Sequence, residues 1–185
     1  MIPRASLARE PHRRSGIIDR MVSIRPAVSA DCVAVSDIYR HYVENTFATF
    51  DYDAPSRDAW EIKLGAIVAA GRPFLVAEDE GAVLGFAYLG SFRDKRAYAW
   101  TAEDTIYLNP DAGGRGIGSA LLGALLEAAD PDNVRQVIAV IAATGGEASI
   151  ALHIKHGFTE VGRTPSVGYK FDQWIDCVYL QRPLG

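Results

Sequence analysis

Apolar residues recur along this chain in two distinct rhythms. Cys32, Val35, Ile38, Tyr39 and Tyr42 fall at the three-to-four spacing of an amphipathic helix. Ser29 or Asp31 just ahead of them offers an N-cap. Trp60, Leu64, Ile67 and Val68 make a second such stripe, opened by Ser56 and closed at Gly71. Before both, "VSIRPA" reads as a short strand stopped by Pro26, and between them "ENTFATFDYDAP" has no period and is predicted to be a loop. The rhythm then shifts. "RPFLVAE", the turn "DEGA" and "VLGFAYLGSF" form a hairpin pattern, and "YAWTAEDTIYL" is a third strand ended by "NPDAGG". From Gly116 the helical period resumes, with Ile117, Leu121, Leu125 and Ala128 on one face. "VRQVIAVIA" is a continuous apolar strand ended by the "TGG" turn, "EASIALHIKHG" is a helix stopped by Gly157, and "FTEVGR" and "WIDCVYLQR" close the chain as strands. The order βααβββαβαββ argues an α/β chain built on a mixed sheet with helices on both faces.

Composition narrows the function without naming it. The 185 residues suit one folded domain, here residues 21–185. Residues 1–20 read as a disordered basic extension, with Met21 as an alternative start. They carry five arginines and lack the apolar centre of a secretory signal, and Glu10 and Asp19 speak against a transit peptide, so the cytoplasm is the expected compartment. The formal net charge of −4 lends no support to a nucleic-acid partner. No apolar run approaches the roughly 18 residues that a membrane span needs. Two cysteines, Cys32 and Cys177, are too few for a disulfide framework and sit among apolar neighbours as core thiols.

The candidate chemistry begins at "GGRGIGSALL", Gly113–Leu122. Glycine inside a helix costs about 1 kcal/mol relative to alanine, so a cluster at a helix entrance needs a reason: a tight turn, or a ligand that must touch bare backbone. The spacing Gly114-x-Gly116-x-Gly118 is one residue short of a dinucleotide fingerprint, and no Lys-Ser/Thr follows to make a phosphate loop. The physical logic of an anion site remains, because a glycine turn opening a helix presents unpaired N–H groups at the positive end of the macrodipole.

"IYLNPDAGGRGIGSALL" resembles the acetyl-CoA-binding segment of the GNAT superfamily of N-acetyltransferases. Together with "AYAWTAEDTIY", "AVIAATGGEASIALHIKHGF" and "GYKFDQWIDCVYLQRPL", it is similar to the phosphinothricin and methionine-sulfoximine acetyltransferase branch from about Ser23 to Pro183. The resemblance implies the GNAT fold and acetyl-CoA as co-substrate, with no metal. It implies that Gly114, Arg115, Gly116, Ile117, Gly118 and Ser119 wrap the pyrophosphate, that Ile106, Tyr107 and Leu108 pair with the pantetheine arm, and that Gly146 lies at the cofactor-proximal turn. Two positions depart from the pattern. The Gln or Arg that leads the family's turn falls on Gly113, and an Asn usual in the branch falls on Gly146.

Acetyl transfer to an amine needs a base for the incoming ammonium, a donor for the carbonyl oxygen and an acid for the departing thiolate. The resemblance implies Glu103 as the base, acting through a water, and His153 as acid or relay. It also implies a bulge in "TIYL" that aims the N–H of Tyr107 or a neighbour at the acetyl oxygen. His156, nearer the helix end, reads as exposed and facing the C-terminal dipole. Period-2 alternation puts Thr101, Glu103 and Thr105 on one face, with Ala102 and Asp104 on the other. Arg93 and Lys95, in the basic loop "SFRDKRAYAW", fall where the branch contacts an acidic acceptor, and Phe50 and Tyr98 are the expected wall. The implied function is acetylation of the α-amine of a small acidic amino acid or analogue, with a bearing on resistance to such compounds. Tyr169, Lys170 and Trp174 are expected at a homodimer seam. Alternatives left open are another amine acceptor and a catalytically silent CoA-sensing module.

Overall fold

The computed structural model describes residues 22–185; the basic extension lies outside the described residues. The elements follow the predicted order: β1 (Ser23–Pro26), α1 (Cys32–Asn45), α2 (Arg57–Ala69), β2 (Phe74–Asp79), β3 (Ala82–Ser91), β4 (Thr101–Leu108), α3 (Ile117–Glu127), β5 (Gln136–Ala142), α4 (Glu147–Lys155), β6 (Thr159–Lys170) and β7 (Gln173–Pro183). Seven strands form one sheet in the order β1-β2-β3-β4-β5-β7-β6.

Local signals account for the ends of the helices. The Asp31 carboxylate accepts the Val28 N–H at 2.8 Å and is gripped by both Arg25 Nη atoms at 2.7 and 2.8 Å, which sets the turn into α1. The Ser56 hydroxyl accepts the Ala59 N–H at 3.2 Å, the capping bond expected for α2. The apolar stripes bury against opposite faces of the sheet. Trp60, Tyr39, Phe74, Phe86 and Tyr88 form an aromatic core under α1 and α2. Leu121, Leu122 and Leu125 of α3 pack on Ala87, Leu89 and Val137 on the other side.

Four details depart from the pattern reading. Val68 is 57 % exposed, and Ala128 lies beyond the end of α3 and faces solvent. Residues 96–98 make a single 3-10 turn, so β4 begins only at Thr101. α1 continues through Glu44 and Asn45. β6 runs far past "FTEVGR", through Pro165 and Gly168, with register shifts between Glu160 and Gly162 and between Thr164 and Gly168. Proline interrupts a strand pattern, yet β6 is an edge strand, where a missing N–H costs no ladder bond. The β6–β7 hairpin turns on Phe171 and Asp172, both at positive φ.

One topological feature creates the site. β4 and β5 lie parallel but pair only at Thr101–Gln136, Ala102–Val137 and Glu103–Ile138. Beyond Glu103 the strands part: β4 stays with β3 as far as Leu108, and β5 stays with β7 as far as Ala142.

Candidate active site

The parted strands open a crevice of about 670 Å³ through the middle of the sheet. Asp104–Leu108 form one wall and Ala139–Ala142 the other; Phe50 and the α4 entrance at Gly146 close its ends. Edge backbone groups that would normally pair across a sheet face this gap. Their identity follows from the β3–β4 ladder, in which Asn109 N–H donates to Leu84 O at one end and Phe92 N–H to Thr101 O at the other. Antiparallel strands alternate between bonded and non-bonded pairs. The odd residues of β4, Tyr107 included, therefore spend their amides on β3, and those of Ile106 and Leu108 face the gap. The Leu108 carbonyl is taken by the Tyr42 hydroxyl at 2.7 Å.

One sequence expectation, the bulge, is corrected here, and another, the oxyanion donor at Tyr107 or a neighbour, is narrowed. β4 runs against β3 in unbroken register, so "TIYL" contains no bulge against its antiparallel partner. Tyr107 cannot supply the oxyanion donor from its amide; it meets the crevice with its ring, whose hydroxyl donates to Ala48 O at 2.8 Å. The gap-facing amides belong to Ile106 and Leu108.

The glycine turn meets the same crevice at the mouth of α3. Gly116 is the N-cap residue, at φ 77°, and no side chain caps it. A Cβ there would touch nothing within 4 Å, so the left-handed backbone, not crowding, requires the glycine, and the space above it is open. The first intrahelical bond runs from Ala120 N–H to Gly116 O, which leaves the N–H groups of Ile117, Gly118 and Ser119 without helix partners. No acidic side chain sits in this first turn. The positive end of α3 thus faces a cavity with no protein anion on it. Gly113 and Gly118 line the crevice, and the Ile117 side chain points into the core. Arg115 pairs with Asp79 at 3.1 Å, so its guanidinium is held away on β2. Gly146 has a separate reason to be glycine: a Cβ would lie 2.0 Å from the Ala142 carbonyl oxygen.

Glu103 and His153 both line the crevice, from opposite faces of the sheet. Glu103 lies on the α1/α2 face. Burial raises its pKa above the ordinary carboxylate value, the neighbouring Asp104 charge adds to this, and Arg93 and Lys63 partly offset it. Its neighbours there include Lys63, Tyr88 and Thr105. Tyr98, expected in the acceptor wall, and Trp100 are exposed in the β3–β4 loop. His153 is 2 % exposed on the α3/α4 face, edge-on to Phe158. Its Nδ1 lies 2.7 Å from Ser149 O and its Nε2 lies 2.8 Å from Asp104 Oδ2. Both partners are acceptors, so an ionised Asp104 keeps a proton on each ring nitrogen. Burial opposes that charge, but the Asp104 hydrogen bond and charge and the Ser149 carbonyl outweigh it and raise the imidazole pKa. Asp104 Oδ1 is buried without a partner. Pattern reading placed Asp104 on the correct face but gave it no role; its pairing with His153, 49 residues on, exists only in the fold.

The remaining candidates are more scattered. Phe50 lines the crevice and its ring packs directly on Gly168. Arg93, Lys95 and Tyr98 are exposed and line neither the crevice nor the cavity beside it, although the Arg93 charge reaches Glu103. Ser119 bonds His156 Nε2 at 2.9 Å, and His156 is half-buried, its pKa lowered by desolvation and by Lys155 and Arg182. The dipole contact expected for His156 does not raise it. Lys170 is 2 % exposed, and its ammonium donates to Thr46 O and Thr49 O at 2.9 and 2.8 Å, pinning the aromatic loop that carries Phe50. Among the described residues no group of three or more His, Cys, Asp or Glu side chains is placed to hold a metal ion.

Residues 24–179 match the acetyltransferase (GNAT) domain family. The chain belongs to the GNAT family. Among relatives of this GNAT protein, a phosphinothricin N-acetyltransferase from Alcaligenes faecalis is 39 % identical, over 88 % of this chain and 82 % of the relative. An L-methionine sulfoximine/L-methionine sulfone acetyltransferase from Salmonella typhimurium is 36 % identical, over 88 % and 95 %. A phosphinothricin acetyltransferase from Sinorhizobium meliloti, solved in complex with acetyl-CoA, superposes with a TM-score of 0.84 at 42 % identity, covering 89 % of each chain. The GNAT protein described here is an acetyltransferase with the fold of these enzymes.

Proposed function

We propose that this enzyme acetylates the α-amine of a small acidic amino acid or analogue, of the phosphinothricin or methionine-sulfoximine kind, with acetyl-CoA as donor. One observation carries the reading: the slit between β4 and β5 joins an uncapped helix N-terminus on one face of the sheet to a half-buried carboxylate on the other. Acetyl-CoA supplies an acyl carbon open to attack and a thiol that leaves. The N–H groups of Ile117, Gly118 and Ser119 hold the pyrophosphate, and the open space above Gly116 fits it. Ile106 and Leu108 pair with the pantetheine arm through their gap-facing amides, one of which donates to the acetyl oxygen.

Glu103 works from the acceptor side. Its raised pKa makes it a better base than an exposed carboxylate, and through one water it takes the proton that the ammonium must lose. The amine nitrogen then bonds the acyl carbon as the carbon–sulfur bond breaks. His153, charged by its two acceptors, holds a proton at the crevice wall, where the thiolate needs one. The nitrogen sheds a second proton to solvent as it becomes an amide, so two protons leave it, one reaches the sulfur, and the pair resets with a net release of one proton to solvent. The expected homodimer is supported by Tyr169 and Trp174, which are 44 % and 67 % exposed on the β6–β7 hairpin.

The test is a thiol-release assay with acetyl-CoA and a panel of amines: acidic amino acids, phosphinothricin, neutral amino acids, polyamines and aminoglycosides. Turnover restricted to small amino-acid-like acceptors is expected. Release with none of them, from protein that binds acetyl-CoA by calorimetry, would reject the reading in favour of a CoA sensor.

A further inference from the structure

A second cavity, of about 360 Å³, lies under α2 on the Glu103 side, and Lys63, Tyr88, Glu103 and Thr105 line both it and the crevice. Its far wall holds Arg72, only 9 % exposed. The guanidinium donates from Nη1 to Ser91 Oγ at 3.1 Å and from Nη2 to Ala99 O at 3.0 Å, and Nε is buried with no partner. Among the described residues no carboxylate pairs with it. Burial alone shifts its pKa, downward, which is the mark of a cation without a counter-ion. Lys63 is a second cation lining the cavity, on the crevice side. Its ammonium rests over the Trp60 and Tyr88 rings, 4.8 and 5.2 Å from their centroids, and donates to the Tyr88 hydroxyl at 3.0 Å. Buried or fixed charges left unpaired are costly and are normally matched by an opposite charge.

Resting on the acetyltransferase reading above, we propose that Lys63 and Arg72 form an anion subsite that seats the acceptor's side-chain carboxylate or phosphinate while its α-amine faces Glu103. The acceptor class is then an amine carrying a second, anionic group that reaches into the cavity under α2. This moves recognition away from the exposed loop that carries Arg93 and Lys95, which lines neither cavity.

The experiment compares glutamate and phosphinothricin with neutral acceptors of similar size, glutamine and methionine, in the parent and in the Arg72→Gln and Lys63→Met proteins. The quantity read is the ratio of kcat/KM for the acidic acceptor to that for its neutral counterpart. Loss of a charge-assisted contact lowers that ratio roughly tenfold or more, through KM. An unchanged ratio in both variants overturns the subsite, whatever the absolute rates. Lys63 is on the solvent side of α2, so its variant keeps the test alive if Arg72→Gln does not fold. Should the parent acetylate nothing, calorimetric binding of phosphinothricin decides separately: weaker binding in the variants upholds the subsite while the acetyl-transfer reading falls, and equal binding rejects it.

Discussion

Replacing Asp104 with alanine removes one half of a pair whose side chains are 1 % and 2 % exposed. His153 Nε2 then loses its acceptor at 2.8 Å and finds no other, since Nδ1 is already committed to Ser149 O. Breaking a buried pair from one side costs about 3–5 kcal/mol. For a domain of this size each kcal/mol is worth roughly 2–4 °C, so Tm should fall by about 6–20 °C. Asn at the same position is gentler, because its amide can donate to a neutral Nε2 while Nδ1–H still reaches Ser149. The sign of the pH dependence separates the two states. The parent imidazole has its pKa raised on folding, so the pair's contribution is complete below the unfolded value near about 6.5 and declines as pH climbs through the raised native one. In Asp104→Asn the buried ring stays neutral, its pKa falls on folding, and the histidine contribution to stability is instead lost as pH drops below about 6.5. Urea unfolding of the three proteins between pH 5.5 and 8.5 reads this directly. An alanine cost below about 1 kcal/mol at pH 6, or a parent-to-Asp104→Asn difference that is flat across that range, would refute the charged pair.

Other outcomes follow from the same geometry. Glu103→Gln should lower kcat by roughly 10²–10⁴-fold with acetyl-CoA affinity nearly intact; equal turnover would remove Glu103 from its role. The acid limb of the parent kcat/KM profile should sit above the ordinary carboxylate range, rising with pH as Glu103 ionises, and should vanish in that variant. Gly116→Ala, forced to φ 77°, should lose about 1–2 kcal/mol of stability and weaken acetyl-CoA binding in calorimetry, and full retention of both would show that the turn is not the cradle. Lys170→Met should leave the Thr46 and Thr49 carbonyls without their ammonium donor and raise KM for the acceptor more than KM for acetyl-CoA; matched kinetics would show that the aromatic loop holds its place without the staple.

Element order was legible in the chain because the stripes of α1, α2 and α3 and the alternation in β2 to β4 are local periodicities that survive in one dimension. Glu103 and the Gly114–Ser119 turn were legible too, since a strand face and a helix entrance are defined by neighbours in sequence. Pro165 hid the length of β6, because its cost depends on whether the strand lies at an edge, and that is a property of the sheet.

Beyond the elements, the deciding facts are tertiary. Strand pairing determines which amides of β4 face the gap, so Tyr107 gave way to Ile106 and Leu108 only once the β3 register was known. Asp104 meets His153, and Arg72 meets Lys63 across one cavity, through long-range packing that no spacing encodes. The physical reason is the range of the interactions. Backbone propensity and side-chain periodicity act over a few residues and so can be read along the chain, whereas the Asp104 contact that charges His153 and the burial that strands Arg72 are created by elements far apart in sequence that close over them.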